Sequence, residues 1–383
     1  MINVSKLYCG LAGQSDTLRY ASEKTHRPVA VYNCTARCNL KCLHCYSSSG
    51  ASKSAAELST SQAKELISQL ADYGCPVILF SGGEPLLRED LFELINHAGK
   101  TGIKAVISTN GTLINEDRAA RLAEAGISYV GISIDGPESF HDNFRAVKGS
   151  FQATIQGFAN CRKAGIRTGL RFTITKHNAG QIEAVFDIAE NAGIRRICFY
   201  HLIRMGRAKD IQEQALTQQQ TRRVVDAIIE KTDQFINDDL VDEVLTVGNH
   251  ADGPYLLTRL QRENSPLAAE AVNLLLANGG NRIGENISSI NWGGEVYADQ
   301  FWRNYPLGNV MKKRFADIWD NSSDPVLHAL RNKSNYRDSR CTKCKWFNLC
   351  KGNFRFLGSD SGIENWLNEP GCYLTDKEIG IAK

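Results

Sequence analysis

The chain has 383 residues, 42% of them hydrophobic and 23% charged, with only 9 prolines; that globular balance excludes a disordered, collagenous or low-complexity protein. Mean hydropathy is −0.30 and no apolar run approaches the ~18 residues of a membrane span, so no membrane association is expected. Lys and Arg number 45 against 42 Asp and Glu, a net charge of +3, too slight to make nucleic acid the expected partner.

The first 28 residues form a short extension without a basic start, apolar core and cleavage site, so a cytoplasmic protein is expected. From residue 29 onward, β-branched runs alternate with amphipathic ones. Residues 29–34 read as a strand. Ser59 then opens a helix, with Gln62 placed for a capping box and Leu66, Ile67 and Leu70 on one face. The run 77–80 (Val-Ile-Leu-Phe) predicts a strand buried on both sides. Helix 91–98, strand 105–108, helix 116–125 and strand 129–134 follow, then helix 151–164, strand 169–175, helix 182–192 and strand 196–200. Gly74, Gly102, Gly126, Gly165 and Gly193 mark helix ends. Six β/α units in series imply a parallel sheet, too few for an eight-stranded barrel. The expectation is an α/β fold, a partial, open (β/α)6 TIM-like barrel over 29–205. Residues 206–289 read as a helical linker that does not continue the alternation, and 290–383 as a small C-terminal domain.

Twelve cysteines are present, seven of them in two tight groups. In a large chain without a secretion signal, clustered thiols point to metal rather than to disulfides. Cys75, Cys161 and Cys198 sit among apolar neighbours and read as small buried hydrophobes. The first group, Cys38, Cys42 and Cys45, has the spacing CxxxCxxC in the loop after the first strand. Three thiolates hold three corners of a [4Fe–4S] cube and leave one iron open, as a catalytic centre requires. Zinc is the alternative, with Cys34 or His44 as a fourth ligand.

This loop resembles that of the radical S-adenosylmethionine (radical SAM) superfamily. Tyr46 follows the third cysteine, and Gly82-Gly83-Glu84-Pro85 stands after the second strand where the superfamily has its GGEP element. Paired glycines permit close backbone approach, and the resemblance implies that they receive the ammonium of S-adenosylmethionine (SAM). Ser108 and Asn110 after strand three, and Ser133 and Asp135 after strand four, resemble positions lining the SAM pocket. Arg145 resembles the arginine directed at the SAM carboxylate; a solvated charge is the alternative. All fall at strand C-termini, where barrel active sites lie. The resemblance implies that SAM chelates the open iron and that one electron releases methionine and a 5′-deoxyadenosyl radical. A low-potential donor such as ferredoxin or flavodoxin is implied with it. Glu84 reads as an orienting acceptor rather than a general base.

The second group, Cys341, Cys344 and Cys350 with the distant Cys372, resembles the SPASM extension of the same superfamily. It implies one auxiliary [4Fe–4S] cluster with all four protein ligands, two clusters in total; a four-sulfur zinc site is the alternative. Phe354 stands where the extension has a further cysteine, and the paired cysteines expected upstream are replaced around Gly293 to Tyr297, so a second auxiliary cluster is not expected. Segments 249–254, 278–281, 299–302 and 307–310, with the opening at Ser5–Cys9 and Ser15–Tyr20, resemble the tetrapyrrole-modifying branch. That branch implies a sirohaem-type substrate, 12,18-didecarboxysirohaem. The opening favours removal of two acetates to give iron-coproporphyrin III over attack on propionates toward haem d1. Tyr297-Ala298-Asp299 departs from that branch, whose members usually carry His-Pro-Asp. A maturase of ribosomally made peptides is the rival reading, disfavoured by the short segment before the first strand. Arg171, Arg195, Arg196, Arg204 and Arg207 are candidates for substrate carboxylates, and His250 for the substrate iron.

Overall fold

Ile78 and Phe80 are fully buried, and the strand that carries them is the second of a parallel series. The computed structural model describes residues 1–11, 17–20, 27–51, 57–321, 323–333, 340–353 and 371–381. Ser15, Asp16 and Phe354 lie outside the described residues. The strands are β1 (Ile2–Asn3), β2 (Val29–Thr35), β3 (Val77–Gly82), β4 (Lys104–Thr109), β5 (Tyr129–Ser133) and β6 (Thr168–Ile174). They continue with β7 (Arg196–His201), β8 (Glu243–Val247), β9 (Ile287–Ile290), β10 (Glu295–Tyr297) and β11 (Gly308–Asn309). All eleven form one sheet in the order β1-β8-β7-β6-β5-β4-β3-β2-β9-β10-β11. From β9 through β2 to β8 every neighbouring pair is parallel. The ends are antiparallel, and the sheet stays open.

The six expected units are β2 to β7, each pair of strands joined by a helix, as right-handed crossovers require. Ser59 caps the helix Thr60–Asp72 and Gln62 returns the bond. Gly193 ends the helix Ile182–Ala192 in the left-handed region at φ +65°, a conformation that glycine adopts without penalty.

The expectation that the alternation stops after β7 is corrected. The helix Gln218–Asn237 is a sixth crossover and delivers a seventh strand of the series, β8, beside β7. Five residues in a charged neighbourhood hid that strand from periodicity. The rest of the helical linker is two helices, Asp252–Arg262 and Ala268–Asn278, since Pro266 cannot continue the first. The C-terminal segment also joins the barrel sheet directly, because Tyr32 of β2 pairs with Phe80 on one side and Ile290 of β9 on the other. One apolar core runs through both parts, from Ile78 and Phe199 to Phe315, Trp319 and Tyr373. Cys75, Cys161 and Cys198 are buried in the fold as expected.

Candidate active site

The loop after β2 is laced to its surroundings on three sides. Within it, the Cys38 amide donates to the Gly50 carbonyl at 2.8 Å. From β3, the amides of Gly83 and Glu84 donate to the carbonyls of Thr35 and Arg37, both at 2.8 Å. From the helix Glu138–Arg145, the carbonyls of Arg145 and Phe144 receive the amides of Lys41 and Leu43. After β7, Arg207 donates through Nε to the Cys42 carbonyl at 2.9 Å and through Nη1 to the Ser49 carbonyl at 2.7 Å. Arg207, which also lines the cavity, therefore holds the thiol loop through these two bonds.

The three thiols face a cavity of about 1000 Å³, open mouth included, at the C-terminal ends of the parallel strands. Gly82, Gly83, Ser108, Asn110, Ser133 and Arg145 share its wall, as the sequence predicts, and Tyr46, Arg171 and His201 join them. Glu84, Pro85 and Asp135 do not line it; they stand behind the wall. Glu84 is fully buried and accepts from the Thr109 hydroxyl at 2.7 Å, the Asn110 amide at 2.8 Å and the Leu86 amide at 3.1 Å. It joins the turn after β3 to the turn after β4. Burial pushes its carboxyl up against those bonds. It is an orienting acceptor.

Arg145 is buried, which removes the solvated-charge alternative. Its Nε meets Asp135 Oδ2 at 2.5 Å and its Nη1 meets the Cys42 sulfur at 3.4 Å. Burial alone raises the Asp135 carboxyl, but the guanidinium outweighs it and holds the group below the usual carboxylate range. The expected SAM contact of Arg145 is thus shared with an internal ion pair. His44 stacks on Phe144 at 4.6 Å between ring centres, and burial lowers it to about 4. The Cys34 thiol is buried and donates to the Ser81 carbonyl at 3.4 Å, so it is not placed as a fourth ligand.

Arg171, Arg195, Arg196 and Arg204 fare differently. Arg171 lines the cavity, bonded to the Ser108 hydroxyl and 4.7 Å above the Tyr200 ring. Arg195 and Arg196 lie at the opposite end of the sheet, paired with Asp239 and Asp242 and with Glu243. Arg204 is not among the lining residues.

Cys341, Cys344, Cys350 and Cys372 surround a second cavity of about 380 Å³, with apolar walls from Trp346, Phe347 and Leu374. Arg340 donates to the Cys372 sulfur at 3.2 Å, and the Trp346 amide to the Cys344 sulfur at 3.4 Å. Near the first group, the Leu40 amide donates to the Cys38 sulfur at 3.4 Å. N–H donors of this kind surround cluster thiolates and tune them. Burial pushes the bare Cys38 thiol up to about 12 and raises Cys42 and Cys344 as well, so these sulfurs ionise only against a cation. Among the described residues no three His, Cys, Asp or Glu side chains converge on one ion position. Each thiol group lines a cavity, and thiolate sets of this kind suit an iron–sulfur cluster. His250 is buried beside the second cavity, with its amide bonded to Asn353 Oδ1 at 2.5 Å, and it does not line the first.

Sequence reasoning missed one pair. His201, at the end of β7, meets Asp252 at 2.9 Å, and a separation of 51 positions leaves no local signal. Asp299, in the segment that departs from the branch pattern, is buried, and burial pushes its carboxyl up to about 7 against a 2.7 Å bond from the Phe301 amide. The folded chain then holds a proton that the unfolded chain releases near pH 4, so stability is full at low pH and falls as pH rises to about 7. Asp299→Asn keeps the acceptor. It is expected to be neutral at about pH 4 and to stabilise by on the order of 2 kcal/mol at about pH 8, read from urea midpoints at both values.

Parallel β/α units with a three-thiol loop at their C-terminal ends define a radical SAM enzyme, and residues 32–189 match the model of the radical SAM superfamily. Residues 282–345 match the SPASM iron-sulfur cluster-binding domain. The chain belongs to this superfamily, in the family of an Fe-coproporphyrin III synthase from Methanosarcina barkeri, with which it shares 46% identity over 99% of both chains. A pre-heme d1 synthase from Dinoroseobacter shibae is 36% identical over 94% of this chain and 89% of its own. The solved structure of anSMEcpe with bound AdoMet superposes with a TM-score of 0.69 at 20% identity, covering 92% of this chain and 96% of that one; this likeness is one of fold. SAM and a [4Fe–4S] cluster are the cofactors of the radical SAM domain, and the SPASM domain binds auxiliary iron–sulfur clusters. No helix among the described residues is long and apolar enough to cross a membrane.

Proposed function

We propose that the chain is a radical SAM enzyme of haem biosynthesis that removes two acetate groups from 12,18-didecarboxysirohaem to give iron-coproporphyrin III. The observation that carries this reading is the 46% identity over nearly the whole of both chains with an Fe-coproporphyrin III synthase. Cys38, Cys42 and Cys45 hold the SAM-binding cluster, and Cys341, Cys344, Cys350 and Cys372 hold one auxiliary cluster. With a reduced cluster and SAM held there, the site would supply one electron to the sulfonium of SAM, releasing methionine and a 5′-deoxyadenosyl radical for hydrogen abstraction. The chain's own residues position and enclose. Ser108, Asn110 and Ser133 offer hydroxyl and amide groups to SAM along the strand ends, and the glycine turn brings backbone close beside them. Arg171 presents a planar cation to substrate carboxylates, held by Ser108 and Tyr200. Gln300 and Phe301, with Tyr46 edge-on at 5.2 Å, line the cavity and would help to keep water from a reactive radical. A reduced ferredoxin or flavodoxin delivers the electron.

The 36% identity with a pre-heme d1 synthase supports a second reading, conversion of propionates toward haem d1. Anaerobic reaction with SAM, dithionite and 12,18-didecarboxysirohaem, followed by product mass, separates the two. Loss of two acetates is expected. Altered propionates move the enzyme to the second reading. Absence of both substrate binding and substrate-dependent 5′-deoxyadenosine removes the tetrapyrrole assignment and makes a peptide the next substrate to test.

A further inference from the structure

Two linked hydrogen bonds join the wall of the first cavity to the residue that follows Cys372. His201 lines the first cavity, and its Nε2 lies 2.9 Å from Asp252 Oδ2. Asp252 opens the helix Asp252–Arg262 and is 2% exposed. Its other oxygen accepts the Tyr373 hydroxyl at 2.8 Å. Tyr373, also 2% exposed, packs edge-on against Tyr255 at 5.3 Å and directly follows Cys372, whose side chain lines the second cavity. Tyr373 can only donate to this carboxylate, and an ionised carboxylate only accepts. The His201 proton therefore sits on Nε2, facing Asp252. Nδ1 is left as a lone-pair nitrogen with no partner among the described residues.

In its neutral form, an imidazole held in this tautomer cannot donate to a substrate carboxylate through Nδ1. It can bind a metal, and a carboxylate on the far ring nitrogen is the usual support of a metal-bound histidine, orienting the ring and raising its basicity. We propose that His201 Nδ1 is the axial ligand to the iron of the bound tetrapyrrole, with Asp252 and Tyr373 as its positioning residues. This rests on the tetrapyrrole reading above. It replaces His250, which lies outside the cavity, and it ties substrate placement to the segment that carries Cys372.

The test is an anaerobic titration of the cluster-loaded protein with ferric Fe-coproporphyrin III, read by Soret absorption, EPR spin state and tryptophan quenching. The wild-type chain is expected to give a histidine-ligated spectrum. His201→Ala is expected to bind the probe without that signature, and added imidazole to restore it. Asp252→Asn is expected to weaken binding about 10-fold while retaining ligation. An unchanged spectrum in His201→Ala, with its iron–sulfur absorbance intact, overturns the inference and leaves the tetrapyrrole reading standing. Failure of the wild-type chain to bind the probe overturns that reading, and the inference with it. If His201→Ala loses its clusters, pulsed EPR of the wild-type complex grown with isotope-labelled histidine decides. A histidine nitrogen coupled to the probe iron supports the axial ligand, and its absence overturns it.

Discussion

Replacing Cys38, Cys42 and Cys45 together with alanine is expected to lower iron from about eight to about four per chain and to abolish reductive cleavage of SAM. The auxiliary cage should survive, because Cys341, Cys344, Cys350 and Cys372 face a separate cavity. The converse variant, with those four cysteines replaced, is expected to keep about four irons and the ability to cleave SAM without substrate. Iron analysis and chromatography of 5′-deoxyadenosine read both. Zinc in the C-terminal cage, with only four irons in the intact protein, overturns the two-cluster assignment.

Gly83→Val is expected to remove the first cluster along with SAM binding. The sequence suggests that the glycine pair leaves room for a ligand, which predicts loss of SAM alone. In the structure, a Cβ on Gly83 falls 2.0 Å from the Arg37 carbonyl oxygen, and one on Gly82 falls 2.3 Å from that of Thr35. The close approach is between the β3 turn and the chain entering the thiol loop. Any side chain there forces the two apart, including the bond from the Glu84 amide to Arg37. A cost on the order of 3 kcal/mol is expected, together with the loss of about four irons. Full cluster occupancy with lost SAM affinity would instead favour the ligand-clearance account.

Local signals carried the reading of the barrel far. The capping pair Ser59 and Gln62, the glycine at residue 193 and the apolar run in β3 each act over a few residues, and each predicts its element within a residue or two. The thiol loop was legible for the same reason, since its three cysteines are neighbours in the chain. What escaped depends on pairing across long separations. β8 is too short for periodicity and is a strand because β7 lies beside it. Asp135 resembles a pocket residue by its place after β5, yet the buried Arg145 guanidinium turns it inward. His201, Asp252 and Tyr373 span 172 residues and meet only in the fold. Arg195 and Arg196 were misplaced because charge alone does not say at which end of a strand a residue sits.

The pairing of β9 with β2 bears on how the enzyme can be divided. Strand β2, which leads into the thiol loop, is interior only because Ile287–Ile290 covers one side of it. A chain cut after the last crossover would expose a long, apolar β2 with a row of unpaired amides and carbonyls, the kind of edge that recruits other chains. The barrel and the C-terminal segment are therefore one expression unit. Grafting this C-terminal segment onto another radical SAM barrel would have to carry a matching edge for β9, and swapping the auxiliary cage alone would not.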